Sequence, residues 1–181
     1  SKDEWVPIPE NVGEPDNVIN AAYKVIETSS KLIDMREHLG EHPRMGATDV
    51  CPFVPIKDVT MLDCVKYSHR LGKMVGDNLN IPVFLYENSA TKQYRSNLAD
   101  IRKGQFEGMA NKLKMDKWKP DYGPSELHST AGTMAIGARD FLIAYNVNLN
   151  TTDKKIATDI ALDIREMGRA KRDKAGKIIR D

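Results

Sequence analysis

The chain has 181 residues, of which 40% are hydrophobic and 29% charged, with a formal net charge of +1. That balance describes a folded domain of ordinary size. It excludes a disordered chain and a protein whose overall field gathers nucleic acid or acidic membranes. No apolar run approaches the roughly 20 residues that span a bilayer, and no opening segment reads as a secretion signal, so no membrane partner is expected.

Residues 1–15 carry Pro7, Pro9, Gly13 and Pro15 and keep no period, which reads as an irregular lead-in. Asp16 or Asn17 can cap a helix whose apolar stripe is Val18, Ala22, Val25, Ile26, Ser29 and Ile33. Gly40 and Pro43 prevent that helix from continuing, so His42 falls on a loop. Residues 50–56 are β-branched and aromatic, but Pro52 and Pro55 confine them to an edge or irregular strand. Thr60 with Asp63 reads as a capping box. It opens a helix to about Leu79, with Cys64, Val65, Ser68, Leu71, Gly72, Val75 and Leu79 on one side. Cys51 and Cys64 then read as buried small hydrophobes rather than a disulfide. A reducing cytoplasm is the matching compartment, where the sequon at Asn150 carries no glycan.

Residues 82–86 predict a short strand, and 97–114 predict helical turns broken at Gly104 and Gly108. Residues 117–137 hold Trp, Tyr, Pro and several glycines with little period. A loop this long inside a domain is usually functional or disordered, and its aromatic content argues against disorder. Residues 141–149 form the clearest alternation, Phe141, Ile143, Tyr145, Val147 and Leu149, and predict a strand. Asp153 opens a last amphipathic helix through Ile156, Ala157, Ile160, Ala161, Ile164 and Met167 to about Gly168. Strands that alternate with helices predict an α/β or α+β domain with helices packed on a small mixed sheet. The basic tail from Arg165 to Arg180 lacks interleaved aromatics and reads as a solvated helix end or linker, not a nucleic-acid site.

The segment His38-Leu39-Gly40-Glu41-His42 spells the H-x-x-E-H pattern of certain zinc proteases. That chemistry needs both histidines on one helical face, and Gly40 with Pro43 does not support such a helix. Acid–base chemistry fits better: His42 sits on a loop beside Glu41 and close to Arg44 and Asp49, where an imidazole can take and return a proton. In the 117–137 loop, Trp118 or Tyr122 can stack on a flat heterocycle, or both can simply pin the loop to the core. His69 falls on a helix flank, and His128 lies where it could touch a bound molecule. No phosphate-binding glycine loop and no nucleophile elbow is present, which argues against nucleotide cofactors and serine-hydrolase chemistry.

These residues form a larger pattern. Leu32-Ile33-Asp34-Met35 leads into Gly40-Glu41-His42-Pro43-Arg44-Met45-Gly46-Ala47-Thr48-Asp49-Val50-Cys51-Pro52-Phe53. Further along stand Val83-Phe84-Leu85-Tyr86, Trp118-Lys119-Pro120-Asp121-Tyr122-Gly123-Pro124, Gly137-Ala138-Arg139 and Ala144-Tyr145-Asn146-Val147-Asn148-Leu149. In order, from about Gly13 to about Arg169, they resemble glutamate formimidoyltransferase, the formiminotransferase part of formimidoyltransferase-cyclodeaminase. That family's pattern includes an upstream strand, helix and Asn-Arg pair, where this chain has Trp5-Val6-Pro7-Ile8-Pro9. It also continues beyond the position of Asp181 into a second, similar lobe.

The resemblance implies an α+β, two-layer fold: a small mixed or antiparallel sheet with helices packed on it, as a ferredoxin-like N-terminal lobe. The lobe would span 16–170, with 171–181 as a basic linker toward the second lobe. It implies transfer of a formimino group from 5-formimidoyltetrahydrofolate to L-glutamate, a step of histidine degradation in the cytoplasm. Tetrahydrofolate would be the substrate carrier and no metal would be needed. His42 would be the catalytic acid–base. Gly123, Pro124, Ser125, Glu126, Leu127, His128, Ser129, Thr130, Ala131 and Gly132 would form the folate-contacting stretch. Folate, L-glutamate, the second lobe and a homodimer mate are the implied partners. The alternative is a non-catalytic single-lobe folate-binding or assembly module.

Overall fold

A computed structural model describes residues 13–40, 42–143 and 147–164. It divides into two units, Ser1–Phe141 and Leu142–Asp181. In the first unit, helix α1 covers Pro15–Leu32. It starts earlier than an Asp16 or Asn17 cap would allow, because Glu14 takes the N-cap position and Pro15 stands at the first helical turn, where its missing N–H is no loss. The buried stripe is Ile19, Ala22 and Ile26, and Val25 faces outward with 50% exposure.

Strand β1 (Val50–Phe53) is followed by helix α2 (Met61–Leu79) and strand β2 (Val83–Glu87). The Thr60–Asp63 capping box forms as expected. The Asp63 amide donates to the Thr60 hydroxyl (3.2 Å), and the Asp63 carboxylate accepts from the Thr60 amide (3.2 Å). Helices α3 (Leu98–Arg102) and α4 (Gln105–Leu113) come next. The break between them falls at Gly104, whose φ is +97°, while α4 runs through Gly108 without interruption.

Strand β3 (Met134–Ala138) lies within the stretch expected to be a loop. It is the central strand: the sheet order is β1-β3-β2, with β3 parallel to both neighbours. The expected mixed or antiparallel sheet is therefore corrected to a parallel one. The physical reason is that each pair of successive strands is separated by helix, and a crossover connection returns the chain in the same direction. The two-layer expectation changes as well. On one face Val83, Leu85, Met134 and Ile136 pack with Ile19 and Ile26 of α1 and Leu71 and Val75 of α2. On the other, Phe84, Tyr86 and Ala135 pack with Ile101 of α3 and Met109 and Leu113 of α4. The sheet is covered on both sides, so β3 shows no alternation: all its residues are buried.

In the second unit, the expected strand over 141–149 is not formed by its described residues. Ile143 and Val147 are exposed and carry no strand pairing, and 144–146 lie outside the described residues. Helix α5 (Lys154–Ile164) opens on Asp153, whose carboxylate accepts from the Lys155 amide (2.8 Å). The lead-in before Gly13 and the basic tail also lie outside the described residues. Both cysteines are free, and among the described residues no helix is long and apolar enough to cross a membrane.

A buried ion pair locks the connection that precedes β3. Arg95 is only 1% exposed; it donates to Asp121 (3.1 Å) and to the carbonyls of Lys117 (2.8 Å) and Lys119 (2.6 Å). Asp121 in turn accepts from the Leu85 amide of β2 (2.8 Å). Removing one partner of such a pair leaves an uncompensated charge in the interior, so Arg95→Ala should lower the unfolding free energy by about 3–5 kcal/mol in denaturant titrations.

A second expectation concerns acid. Hydrogen bonds from Thr60 and the nearby Lys66 ammonium hold the Asp63 carboxyl at about 2, against an ordinary 3.8. A carboxyl held low in the folded state stabilises above its ordinary value, and that contribution is lost as pH falls through the folded one. The stability difference between the wild type and Asp63→Asn should therefore be constant above about pH 5 and shrink as pH falls toward 2, as read by chemical denaturation at each pH.

Candidate functional site

His42 is exposed, on non-helical backbone well past the end of α1, as is His38. The loop that carries it is nevertheless held from several sides. Arg44 forms a fork on Glu107 of α4 (2.7 and 3.1 Å), adds Gln105 (3.1 Å), and donates back to the His38 carbonyl (3.1 Å). The Arg44 guanidinium holds the Glu107 carboxyl below its usual range. The Phe106 amide also donates to the Arg44 carbonyl (2.9 Å). The two ends of the segment around His42 are thus tied to each other and to the start of α4.

Past Arg44, the loop meets the end of the 123–132 stretch. The Ala47 amide donates to the Ala131 carbonyl (2.9 Å), and the Thr133 amide donates to the Met45 carbonyl (2.9 Å). These bonds flank an antiparallel bridge between Gly46 and Gly132. The approach is so close that a Cβ on Gly46 would lie 2.0 Å from the Thr133 carbonyl oxygen. A Cβ on Gly132, whose φ is +72°, would lie 2.4 Å from the Met45 carbonyl oxygen. Neither position has room for a side chain. A third tie comes from the turn after α1, where the Met35 amide donates to the Thr130 carbonyl (2.8 Å).

Asp49 finishes the loop. Its φ is +60°, its carboxylate accepts from the Met45 amide (2.7 Å), and it pairs with Arg102 at the end of α3. The Ala135 amide of β3 donates to its carbonyl (2.9 Å). Arg44 and Asp49 were visible in the sequence as charges near His42, but not as the two clamps of its loop.

The 123–132 stretch divides by burial. Gly123, Ser125, Glu126 and Ser129 are exposed, Pro124, Leu127, His128 and Thr130 are half-buried, and Ala131 and Gly132 are buried in the seam with Gly46. Residues 123–130 are at least partly open, and only the last two residues of the stretch are closed off by the seam. His128 braces the turn that ends it, because its Nδ1 accepts from the Ala131 amide (3.0 Å) and its carbonyl accepts from the Gly132 amide (3.0 Å). In the neutral ring the proton is then on Nε2. Trp118 and Tyr122 also serve as pins. Trp118 meets Phe84 and Tyr94 edge to face, with the Lys112 ammonium 3.9 Å from its ring centre. The Tyr122 hydroxyl lies 2.8 Å from His69 Nδ1, and its backbone abuts Gly76 of α2.

Residues 7–139 match the family described as the formiminotransferase domain, N-terminal subdomain, and residues 144–180 match the formiminotransferase domain. The chain is 53% identical to the glutamate formimidoyltransferase of Streptococcus pyogenes serotype M1 over 157 residues, covering 87% of this chain and 52% of that protein. It is 51% identical to the formimidoyltransferase-cyclodeaminase of Dictyostelium discoideum over 158 residues, covering 87% of this chain and 29% of the relative. For the Rattus norvegicus protein of the same name the identity is 47% over 167 residues, covering 92% and 30%. The chain spans about half the length of the first of these relatives and less than a third of the other two. Its sequence, and the segment that folds into the parallel sheet and its helices, belong to the formiminotransferase family, as the N-terminal subdomain.

Proposed function

We propose that this chain forms the N-terminal lobe of a formimidoyltransferase that moves a formimino group from 5-formimidoyltetrahydrofolate to L-glutamate in histidine degradation. His42 is the acid–base group, and the open part of the 123–132 stretch contacts the folate. The observation that carries this reading is the Gly46–Gly132 seam: the loop with His42 and the stretch expected to meet folate are hydrogen-bonded into one piece of backbone. The relatives' names support formimidoyl transfer and, in one case, glutamate as the acceptor.

The chemistry asks for a group of this kind. The glutamate amine attacks the formimino carbon and must lose a proton, and as the bond from that carbon to N5 of the folate breaks, N5 must gain one. One imidazole that first accepts and then donates serves both steps. The exposed His42 side chain is free to do so, while Arg44 and the seam limit the movement of its backbone. Fixed orientation of the two reactants supplies much of the acceleration in such transfers. Tetrahydrofolate acts as carrier of the transferred group, and this route uses no metal.

The same reading gives the chain a second lobe as partner, a homodimeric assembly and a cytoplasmic setting. We take 16–170 as the lobe and 171–181 as the linker toward that partner, which agrees with a chain much shorter than its relatives.

Transfer to glutamate should be assayed on the chain alone and joined to the remainder of a formiminotransferase domain. His42→Ala should lower kcat by about 10²–10⁴-fold with folate binding retained, and added imidazole should restore part of the rate. An unchanged kcat would remove His42 from the mechanism. Folate binding without transfer in either form of the wild type would make the chain a binding module instead.

A further inference from the structure

One corner of the first unit holds positive charge that the mechanism above does not use. In the sheet register Tyr86 of β2 stands beside Gly137 of β3. The tyrosine ring lies across that glycine so closely that a Cβ there would be 2.6 Å from Tyr86 Cδ1. Immediately past the end of β3 comes Arg139, whose amide donates to the Phe53 carbonyl of β1 (3.0 Å). Strand alternation puts Arg139 on the same face as Gly137, hence on the face over which the Tyr86 ring lies. Both Arg139 and Arg102 act electrostatically on the Tyr86 hydroxyl.

The two arginines differ in what they hold. Arg102 is paired with Asp49. Arg139 is half-buried, its Nε is buried without an acceptor, and among the described residues no carboxylate or carbonyl receives its guanidinium. Glu87, next to Tyr86, is exposed at the end of β2 and forms no ion pair with it. A partly desolvated guanidinium without an acceptor is unfavourable unless something else supplies the negative charge. Tyr86 on the same face remains a neutral donor across the physiological range, since burial pushes its hydroxyl up to about 12. A planar fork on the same sheet face as a phenolic O–H offers the donors that a carboxylate needs.

We propose that Arg139, assisted by the Tyr86 hydroxyl, binds a carboxylate of one of the substrates. The identity of the ligand rests on the function proposed above. Both substrates of that reaction offer the chemistry, L-glutamate directly and folate through its glutamyl tail. Arg102, which acts on the Tyr86 hydroxyl through its field, leads from this corner to the proton-transfer loop. Arg102 grips Asp49, and Asp49 accepts from Met45 in the loop that carries His42. A carboxylate held here is anchored on the framework that fixes His42.

Calorimetric titration of the 181-residue chain with L-glutamate, with 5-formyltetrahydrofolate and with 5-formyl-6-methyltetrahydropterin, which lacks the glutamyl tail and carries no carboxylate, tests this. Arg139→Gln should raise Kd about tenfold or more for glutamate or for the tailed folate, and leave the tail-less compound unaffected. Tyr86→Phe should weaken the same ligand by less. Which arm responds identifies the source of the carboxylate. If Arg139→Gln does not fold, as judged by circular dichroism, Arg139→Lys decides: a loss of about three- to tenfold is expected, because the charge remains and the fork does not. Equal affinities of wild type and variant in both carboxylate arms, or no saturable carboxylate binding to the wild type, would overturn the proposal. Its fate is separable from that of the reaction, because Arg139-dependent binding can persist where transfer fails, and His42-dependent transfer can persist where Arg139 is indifferent.

Discussion

The fold of the site depends on a place where two backbones meet with no side chain between them. Gly46 and Gly132 allow the loop after α1 to lie against the lead-in to β3, at a distance no Cβ would permit. The Ala47 and Thr133 amides then find acceptors across the seam. Everything near His42 follows from that contact. The loop gains a fixed course, Asp49 reaches back to its Met45 amide and on to Arg102, and Arg44 closes the near side on Glu107. Because β3 is the central strand, the seam ties this loop to the most buried part of the sheet.

A second constraint acts at the other end of the 123–132 stretch. The buried Arg95–Asp121 pair and the carbonyls it gathers fix residues 117–121 against β2. Trp118, edge to face with Phe84 and Tyr94 and close to the Arg95 and Lys112 cations, covers the same face. With both ends held, only the exposed middle can adjust to a ligand. This is a division of labour within one loop: buried residues set its position and polar, exposed ones meet solvent.

Local chemistry made part of this legible in the sequence. Helix α2 could be read closely because Thr60 and Asp63 form its cap and its stripe has a helical period. The loop position of His42 followed from Gly40 and Pro43. The central strand did not, since Met134–Ala138 has one β-branched residue, Ile136, among Met, Ala and Gly and is buried on both faces, so neither a β-branched run nor alternation marks it. Residues 141–149 alternate clearly, yet their described members lie outside any sheet, which shows that alternation needs a pairing partner. The clamps around the site were hidden for a different reason. Arg95 with Asp121, Arg44 with Glu107 and Asp49 with Arg102 are separated by 26, 63 and 53 residues, and no local period joins them. The family pattern pointed to His42 and to 123–132 as functional, but only the fold shows that they share a seam.

The most direct test is native-state amide hydrogen exchange at the seam in the wild type and in Gly46→Ala. In the wild type the Ala47 and Thr133 amides should exchange slowly and together, through one opening event. In Gly46→Ala both should lose protection in concert, while the Val83 and Leu85 amides, held by the 121–122 backbone and the Asp121 carboxylate, keep theirs. Protection at Ala47 and Thr133 that survives the substitution would contradict the claim that a side-chain-free contact joins the His42 loop to the 123–132 stretch.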